Sequence, residues 1–266
     1  MEVGSRAFRN VAVVGRGLIG GSIELALSRL PDPPPVAALD REDDLSILVQ
    51  SDLVILAAPV SENIRLLSVI PVYLAPGTLI TDTSSTKQRI TEAAGALPPH
   101  LHFIGGHPIA GAATPGRGAA KADLFDSNPW ILTPGAAAST EDVDRLRALV
   151  TAIGGRPQVM AAAEHDRLFA LTSHLPQLAA SALMHVVGER AGVAGLRLAG
   201  SGLRDSTRLA SSPGALWRDI VDSNRPNVNS ALDELIVALQ RIRDDKGTDA
   251  VEAIFSSAAH WKSQLG

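Results

Sequence analysis

The sequence has 266 residues, of which 45% are hydrophobic and 20% charged, and its formal net charge at pH 7 is −4. These values are typical of a globular chain with one extended domain or two ordinary ones, and they favour neither a nucleic-acid partner nor a membrane surface. The absence of cysteine excludes disulfides, thiol nucleophiles and cysteine-ligated metals, and the sequence predicts no metal site. Because the chain starts with charged residues and no apolar run reaches roughly 18 residues, we expect a cytoplasmic protein.

The first predicted element is a strand over Val11–Val14 that runs into the glycine-rich turn G-R-G-L-I-G and an apolar helix. In a dinucleotide-binding turn, Gly15 allows the tight bend, Gly17 leaves room for the pyrophosphate and Gly20 lets the helix pack closely on the strand. Leu18 and Ile19 open the helix, whose N-terminal N–H groups would face the phosphates. The sequence therefore predicts a cofactor site here, with a purely structural glycine turn as the alternative.

Asp40 follows a second apolar run, Val36–Leu39, at about the distance from the turn where an acid binds the ribose hydroxyls of the adenosine. A carboxylate repels a 2′-phosphate, so NAD is predicted over NADP. Arg41 leaves this choice open, because its guanidinium could pair with a 2′-phosphate or lie over the adenine. Pro59, near the end of the next apolar run, completes the candidate cofactor-binding residues.

Strand-like runs recur through the first half of the chain, which predicts a Rossmann-type, mostly parallel α/β sheet. They are Val11–Val14, Val36–Leu39, Leu53–Ala57, Thr78–Asp82, Leu101–Gly105 and Trp130–Thr133. Only 12 residues separate Asp40 from Asp52, too few for a full helix and another strand, so we expect a trimmed sheet edge there.

Strand signals end near residue 160, so we predict a dinucleotide-binding domain over 1–160 and an all-helical domain over 161–266. An apolar stripe between Asn224 and Asp244 has helical spacing. It could pack in the core of this chain or form a dimer interface.

Four polar segments lie where an α/β dinucleotide enzyme keeps its active site. They are T-D-T-S-S-T-K (81–87), F-I-G-G-H-P-I-A-G (103–111), T-S-H-L-P-Q-L (172–178) and G-S-G-L-R-D-S-T-R-L-A-S-S (200–212). The hydroxyls of the first segment could instead cap a helix. His107 lies on a constrained turn just past a strand, which suits a proton acceptor.

The two segments in the helical half suit substrate binding. Pro176 should kink the helix that carries the polar residues His174 and Gln177. Arg204 and Arg208 are candidates for a carboxylate clamp, because arginine binds carboxylates through two parallel hydrogen bonds. Arg204 could equally belong to a surface ion pair with its neighbour Asp205.

Taken together, the motifs G-x-G-L-I-G-G-S, D-x-x-S-x-K, G-G-H-P-x-A-G, L-F-x-x-x-x-x-I-L-T-P, S-H-L-P and G-x-G-x-R-D-x-T-R-x-A-x-S resemble the prephenate and arogenate dehydrogenase family. The resemblance spans residues 10 to about 222. It implies a dinucleotide-binding domain followed by a helical dimerisation domain, and hence a homodimer. It also implies the oxidative decarboxylation of prephenate to 4-hydroxyphenylpyruvate, or of arogenate to tyrosine, in tyrosine biosynthesis.

The resemblance also implies roles for individual residues. His107 would take the proton of the ring hydroxyl, and Ser85 would align that histidine with the hydroxyl. His174, Gln177 and Arg208 would bind substrate, with Arg208 on a carboxylate.

The sequence departs from the family at Ala112 and Ala113, where a threonine and a glutamate are usual, and at Gln177, where a histidine is usual. These positions should face the substrate's three-carbon tail. A neutral amide oxygen at Gln177 can accept from the ammonium of arogenate, which tilts the prediction toward arogenate. Two alternatives remain: a related 3-hydroxyacid or imine dehydrogenase, and a non-catalytic NAD-sensing module.

Overall fold

The computed structural model describes residues 7–111, 114, 116–247 and 249–265. Ala112 and Ala113, which the sequence places at the substrate tail, lie outside the described residues. The described chain forms two compact units. The first comprises the chain up to Leu168 together with Pro213–Asn224, and the second comprises Phe169–Ser212 and the chain from Arg225 onward. The expected domain boundary after residue 160 stays a prediction.

The first unit is built on a seven-stranded sheet with the strand order β2-β1-β3-β4-β5-β6-β7. The strands are β1 Val11–Val14, β2 Val36–Leu39, β3 Leu53–Leu56, β4 Leu79–Asp82, β5 His102–Pro108, β6 Pro129–Pro134 and β7 Arg156–Val159. All neighbouring strands are parallel except β5 and β6, which confirms the predicted mostly parallel sheet. Strand β7 was not predicted, because its mostly exposed residues, R-P-Q-V, show no apolar run.

The short crossover after Asp40 contains only a 3₁₀ turn, Leu45–Gln50, and no strand of the described residues lies beyond β2. Asp44 caps this turn by accepting a hydrogen bond from the Ser46 N–H. The expectation of a trimmed sheet edge is confirmed, because twelve residues suffice for one tight turn and a return to the sheet.

Alternating residues of β1 pack on opposite faces of the sheet, as the two-residue period of a strand requires. Val11 and Val13 belong to one buried apolar cluster, and Ala12 and Val14 belong to the other. All four are at most 5% exposed, so both faces of this strand are covered. A strand buried on both faces needs apolar residues throughout, which is why it is a continuous apolar run in the sequence.

The helices of the first unit are α1 Leu18–Ser28, α2 Val60–Val69, α3 Gln88–Ala94, α4 Thr140–Ala152, α8 Gly214–Ser223 and all but the last residue of α5 Ala162–Phe169. Those of the second unit are α6 Leu175–Leu196, α7 Ser201–Ser206, α9 Arg225–Arg243 and α10 Ala250–Ser263. No strand occurs in the described part of the second unit, in agreement with the predicted helical region. None of the helices in the described residues is long and apolar enough to cross a membrane.

A π-helical turn, Ala170–His174, joins α5 to α6 just before Pro176. Proline cannot donate a backbone hydrogen bond, and its ring clashes with the preceding helical turn. The backbone hydrogen bonds before Pro176 therefore follow the wider π-helical pattern. The predicted kink therefore takes the form of a π-turn. A second break occurs inside α6 at Gly192, whose φ of 58° is accessible to glycine at little cost.

Candidate active site

The turn after β1 has the close approaches that a dinucleotide-binding turn requires. Gly15 has a φ of 107°, and a Cβ there would lie 2.7 Å from the carbonyl of Ala57. A Cβ on Gly20 would lie 1.9 Å from the Gly15 oxygen, so this glycine allows α1 to pack against the turn. A Cβ on Gly17 would meet nothing within 4 Å, and α1 begins directly after it. Gly17, the residue before α1, therefore adjoins open space.

A cavity of about 400 Å³ lies at the carboxyl ends of β1, β2 and β3. Five predicted cofactor residues line it, namely Gly15, Gly17, Asp40, Arg41 and Pro59. Leu18, Ile19 and Gly20 do not line it, and Ile19 packs toward the core behind the turn. The exposed Asp40 carboxylate accepts the Arg41 N–H at 2.9 Å. Open glycine backbone at a helix N-terminus beside an acid fits a dinucleotide with free ribose hydroxyls.

Four arginines also line the cavity: Arg16, Arg41, Arg65 and Arg117. Arg117 forms two 2.9 Å hydrogen bonds with Glu24, and Arg65 pairs with Glu62. The buried Nε of Arg16 has no hydrogen-bond partner within the described residues, but it lies 3.8 Å from the Glu24 carboxylate. Arginine side chains beside the glycine turn suit an anionic ligand such as a pyrophosphate.

The expectation that His107 lies on a turn past a strand is wrong, because His107 lies within β5 and pairs with Ile131 of β6. It follows two glycines that permit very close packing. A Cβ on Gly106 would lie 2.4 Å from the Asp82 backbone oxygen, and a Cβ on Gly105 would lie 2.3 Å from the Thr133 hydroxyl. Because β5 runs parallel to β4, the His107 end of β5 lies at the same sheet edge as the end of β4. The two glycines thus allow β5 to lie close to the polar segment 81–87 at the end of β4.

A fully buried ion pair joins the two ends of that polar segment. The Lys87 ammonium pairs with Asp82 Oδ2, and neither side chain is exposed to solvent. Asp82 also accepts hydrogen bonds from the Ser84 N–H at 2.9 Å and the Gly106 N–H at 3.0 Å. Burial lowers the pKa of the Lys87 ammonium, and the attraction of Asp82 opposes that shift. The pair thereby fixes the backbone immediately before His107.

His107 contacts a second histidine, His165, on α5. Nδ1 of His107 lies 2.8 Å from Nε2 of His165, and Nδ1 of His165 lies 2.8 Å from Asp166 Oδ1. Asp166 also accepts the backbone N–H groups of Lys87 and Gln88 at 2.7 and 2.9 Å. Burial lowers the pKa of His165, and the neighbouring Asp166 opposes the shift.

Ser84, rather than the predicted Ser85, is tied into this polar network. The buried Ser84 hydroxyl accepts a hydrogen bond from Asn63, which also donates to the carbonyls of Leu56 and Ala58. Ser85 is half-buried, and its hydroxyl has no hydrogen-bond partner among the described residues. Asn63 therefore connects the end of β3, beside the cavity, to the loop after β4.

The predicted substrate residues His174, Gln177, Arg204 and Arg208 all belong to the second unit. His174 is buried in the π-turn, and both arginines are exposed. The buried amide of Gln177 donates to the Leu209 carbonyl at 2.7 Å and accepts from the Ser212 hydroxyl at 3.1 Å. Gln177 thus anchors the 3₁₀ turn Arg208–Ser211, which begins at Arg208.

Two family models together match most of the chain. The model described as "Prephenate dehydrogenase, nucleotide-binding domain" matches residues 36–159, and "Prephenate dehydrogenase, dimerization domain" matches residues 161–255. The chain belongs to the prephenate dehydrogenase family. It is an oxidoreductase, and its relatives support a dehydrogenase activity of the tyrosine pathway.

Similar proteins within this family carry names for both substrates. A prephenate dehydrogenase of Bacillus subtilis is 34% identical over 92% of this chain and 72% of the relative. An arogenate dehydrogenase structure from Synechocystis has 26% identity and a TM-score of 0.80, and the match covers 96% of this chain and all of that one. The Aquifex aeolicus prephenate dehydrogenase bound to hydroxyphenyl propionate and NAD+ matches in fold, with 23% identity, a TM-score of 0.86 and 99% of both chains covered.

Four residues of the polar network around His107 were not predicted from the sequence: Asn63, Lys87, His165 and Asp166. Lys87 was visible as the last residue of D-x-x-S-x-K, and His165 and Asp166 as part of the ionisable run E-H-D-R that follows three alanines. Such a run is typical of an exposed helix face, so it gave no signal that two of its members are buried. Their partners lie 58 and 79 residues away along the chain, so the sequence alone could not identify them.

Proposed function

We propose that this chain catalyses the NAD-dependent oxidative decarboxylation of a cyclohexadienyl substrate, arogenate or prephenate. The observation that carries the proposal is the placement of His107. It lies at the carboxyl end of β5, held by His165 at 2.8 Å, in the same parallel sheet whose β1, β2 and β3 end at the cavity. Ligands of such sheets bind at the carboxyl ends of the strands.

The cofactor site comprises the glycine turn, Asp40, Arg41 and Pro59. The pyrophosphate would lie against the N–H groups at Gly17 and the start of α1, and Asp40 would accept the ribose hydroxyls. Arg16 lines the cavity and is a further candidate to bind the phosphates. When bound, NAD supplies the hydride acceptor.

The chain's own task in the reaction is to handle one proton. His107 accepts the proton of the ring hydroxyl as hydride leaves the same carbon, so that carbon becomes a carbonyl. The bond to the ring carboxylate then breaks, CO₂ departs, and its electron pair completes the aromatic ring. The proton returns from His107 to the phenolate oxygen. Ser85 aligns the substrate hydroxyl with His107.

Arg208 binds a substrate carboxylate, with His174 and Arg204 as further substrate residues. Its guanidinium is exposed on a turn anchored by Gln177, which suits a bidentate contact with a carboxylate. Arogenate is the favoured substrate, because position 177 has a neutral amide whose oxygen retains a second lone pair beside the Ser212 hydrogen bond.

A homodimer through the helical unit completes the proposal. Its support is the match to a dimerization domain and the apolar side chains that this unit exposes. Among them are Val193, Leu198, Phe255 and Trp261, each more than 60% exposed in the single chain. Exposed apolar surface on this scale is typical of protein interfaces.

The test is the formation of NADH, followed by absorbance, with arogenate and prephenate in parallel. We expect turnover of at least one substrate, a higher kcat/KM for arogenate, and a kcat about 10² to 10⁴ lower in His107→Gln with little change in NAD affinity. His100→Gln, which changes an exposed histidine of the same unit, is the matched control. Turnover of a 3-hydroxyacid alone, or of no substrate, would contradict the proposal.

A further inference from the structure

A continuous path of hydrogen bonds leads from a buried carboxylate to His107. Asp166 and His165 are 1% and 0% exposed, and the two steps, Asp166 to His165 and His165 to His107, both measure 2.8 Å. All three residues belong to the first unit. Because carboxylates can only accept hydrogen bonds, this path has a direction.

The direction follows from the donors and acceptors. Nδ1 of His165 faces the Asp166 carboxylate, so Nδ1 carries a hydrogen and donates it. Burial favours the neutral form of His165 and lowers its pKa, and the nearby Lys87 ammonium acts in the same direction. In a neutral ring with hydrogen on Nδ1, Nε2 has a lone pair and accepts. Nδ1 of His107 must therefore be the donor, which leaves Nε2 of His107 as the basic atom.

The buried carboxylate is held in place on several sides. Two backbone N–H groups, those of Lys87 and Gln88, bind its oxygens, and the Asn224 amide donates to the Asp166 carbonyl at 2.7 Å. The side chain of Lys87 pairs with Asp82, whose other oxygen accepts the Gly106 N–H. Lys87 therefore connects the carboxylate end of the path to the backbone that carries His107.

We propose that His165 and Asp166 are positioning residues that hold His107 as the tautomer with hydrogen on Nδ1. Nε2 is then the atom that takes the substrate proton. The expected effect on kcat rests on the proposed function. The tautomer of His107 follows from the hydrogen bonds alone. Histidine in solution favours hydrogen on Nε2, so without this path the ring would carry its hydrogen on the atom that must act as base.

The kinetic test compares two substitutions at one position. His165→Gln places an amide oxygen near the former Nε2 and keeps an acceptor, whereas His165→Met keeps the bulk and removes it. We expect kcat to fall about 10²-fold in His165→Met with KM changed less than about threefold, and to stay within about tenfold of wild type in His165→Gln. His100→Met is the control. Equal losses in both His165 variants, or no loss in His165→Met, would overturn the proposal.

The second test needs neither substrate nor activity. Nitrogen-15 spectra of the histidine rings distinguish the tautomers, and His107→Gln identifies the His107 signals. We expect hydrogen on Nδ1 of His107 in the wild type and in His165→Gln, and a shift toward Nε2 in His165→Met. A wild-type spectrum with hydrogen on Nε2 would overturn the proposal even if His165→Met failed to fold. The Nδ1 tautomer in a protein that oxidises neither substrate would instead contradict only the proposed function.

Discussion

At the scale of single residues, the buried polar groups near His107 work only as a set. Lys87 neutralises Asp82 with its ammonium and binds Asp166 with its backbone N–H. A buried charge without its partner is costly, because desolvation is no longer offset by attraction or by hydrogen bonds. Removing one partner of the Lys87–Asp82 ion pair should therefore lower the free energy of unfolding more than removing both partners.

We expect Lys87→Met to lower the free energy of unfolding by about 3 to 5 kcal/mol, since it leaves the Asp82 carboxylate buried without a counter-charge. The double variant Asp82→Asn/Lys87→Met should recover part of that loss. Urea denaturation of both proteins is the measurement. Lys121→Met, at an exposed lysine, should stay within about 0.5 kcal/mol of wild type. A single variant as stable as wild type would show that the ion pair is dispensable.

The cofactor preference is also decided at one or two residues. Asp40→Ala should reduce the ratio of kcat/KM for NAD to that for NADP by about tenfold or more, because a carboxylate that accepts from the ribose and repels a 2′-phosphate is lost. Arg41→Ala is the informative comparison. If Arg41 pairs with a 2′-phosphate, its loss lowers only the use of NADP. An unchanged ratio in Asp40→Ala would remove Asp40 from the ribose site.

At the scale of elements, the start of α4 is coupled to β5 through one carboxylate. Ser139 and Asp142 form a reciprocal capping box, and Asp142 also lies 2.7 Å from Nδ1 of His102, the first residue of β5. Burial raises the pKa of Asp142, but the hydrogen bonds from Ser139 and the attraction of His102 outweigh it and bring the pKa below its ordinary value. A carboxyl whose pKa is lower in the folded state than in the unfolded state stabilises the fold fully at pH values above its unfolded-state pKa. That stabilisation is lost as the pH falls through its folded-state pKa.

Asp142→Asn should therefore destabilise the protein by about 1 kcal/mol at pH 7. The deficit should shrink as the pH falls below about 4, because the Asp142 carboxyl of the unfolded chain is protonated first and that of the folded protein follows at a lower pH. Urea denaturation at pH 7, 5 and 3 measures this. Asp144→Asn, an exposed aspartate on the same helix, should show almost no deficit at any pH. A deficit that grows toward low pH would contradict the assignment.

At the scale of the whole molecule, the apolar stripe of α9 changes character along its length. Val228 and Ala231 are 1% and 2% exposed, whereas Ile236 and Leu239 are 48% and 56% exposed. The sequence left two interpretations of this stripe open, packing in the core of the chain and a dimer interface, and each suits one part of it. Its first turns pack within the chain, and its last turns remain available to a second copy.

We expect the wild type to be a dimer by light scattering and the variant Ile236→Asp/Leu239→Asp to shift toward monomer, because two charges on the exposed stripe oppose apolar burial. Val72→Asp is the control, since Val72 is an apolar side chain 82% exposed in the first unit. A monomeric wild type would contradict the homodimer. A double variant as dimeric as wild type would place the interface elsewhere on the helical unit.

Residues close together in the chain fix the local features of this protein. The buried strand β1, the glycine turn, the trimmed sheet edge and the break before Pro176 are features of this kind. Turn chemistry and apolar periodicity act over a few residues, so they can be predicted without knowing which strands are neighbours.

The pairing of the buried polar groups, in contrast, depends on the tertiary fold. His165 meets His107 because the fold places α5 beside β5, and Ser84 rather than Ser85 binds Asn63 because of how the ends of β3 and β4 meet. A buried polar group needs a partner, but the requirement does not say which residue satisfies it. That choice depends on strand order and on chain separations of 58 to 79 residues, which no local pattern encodes.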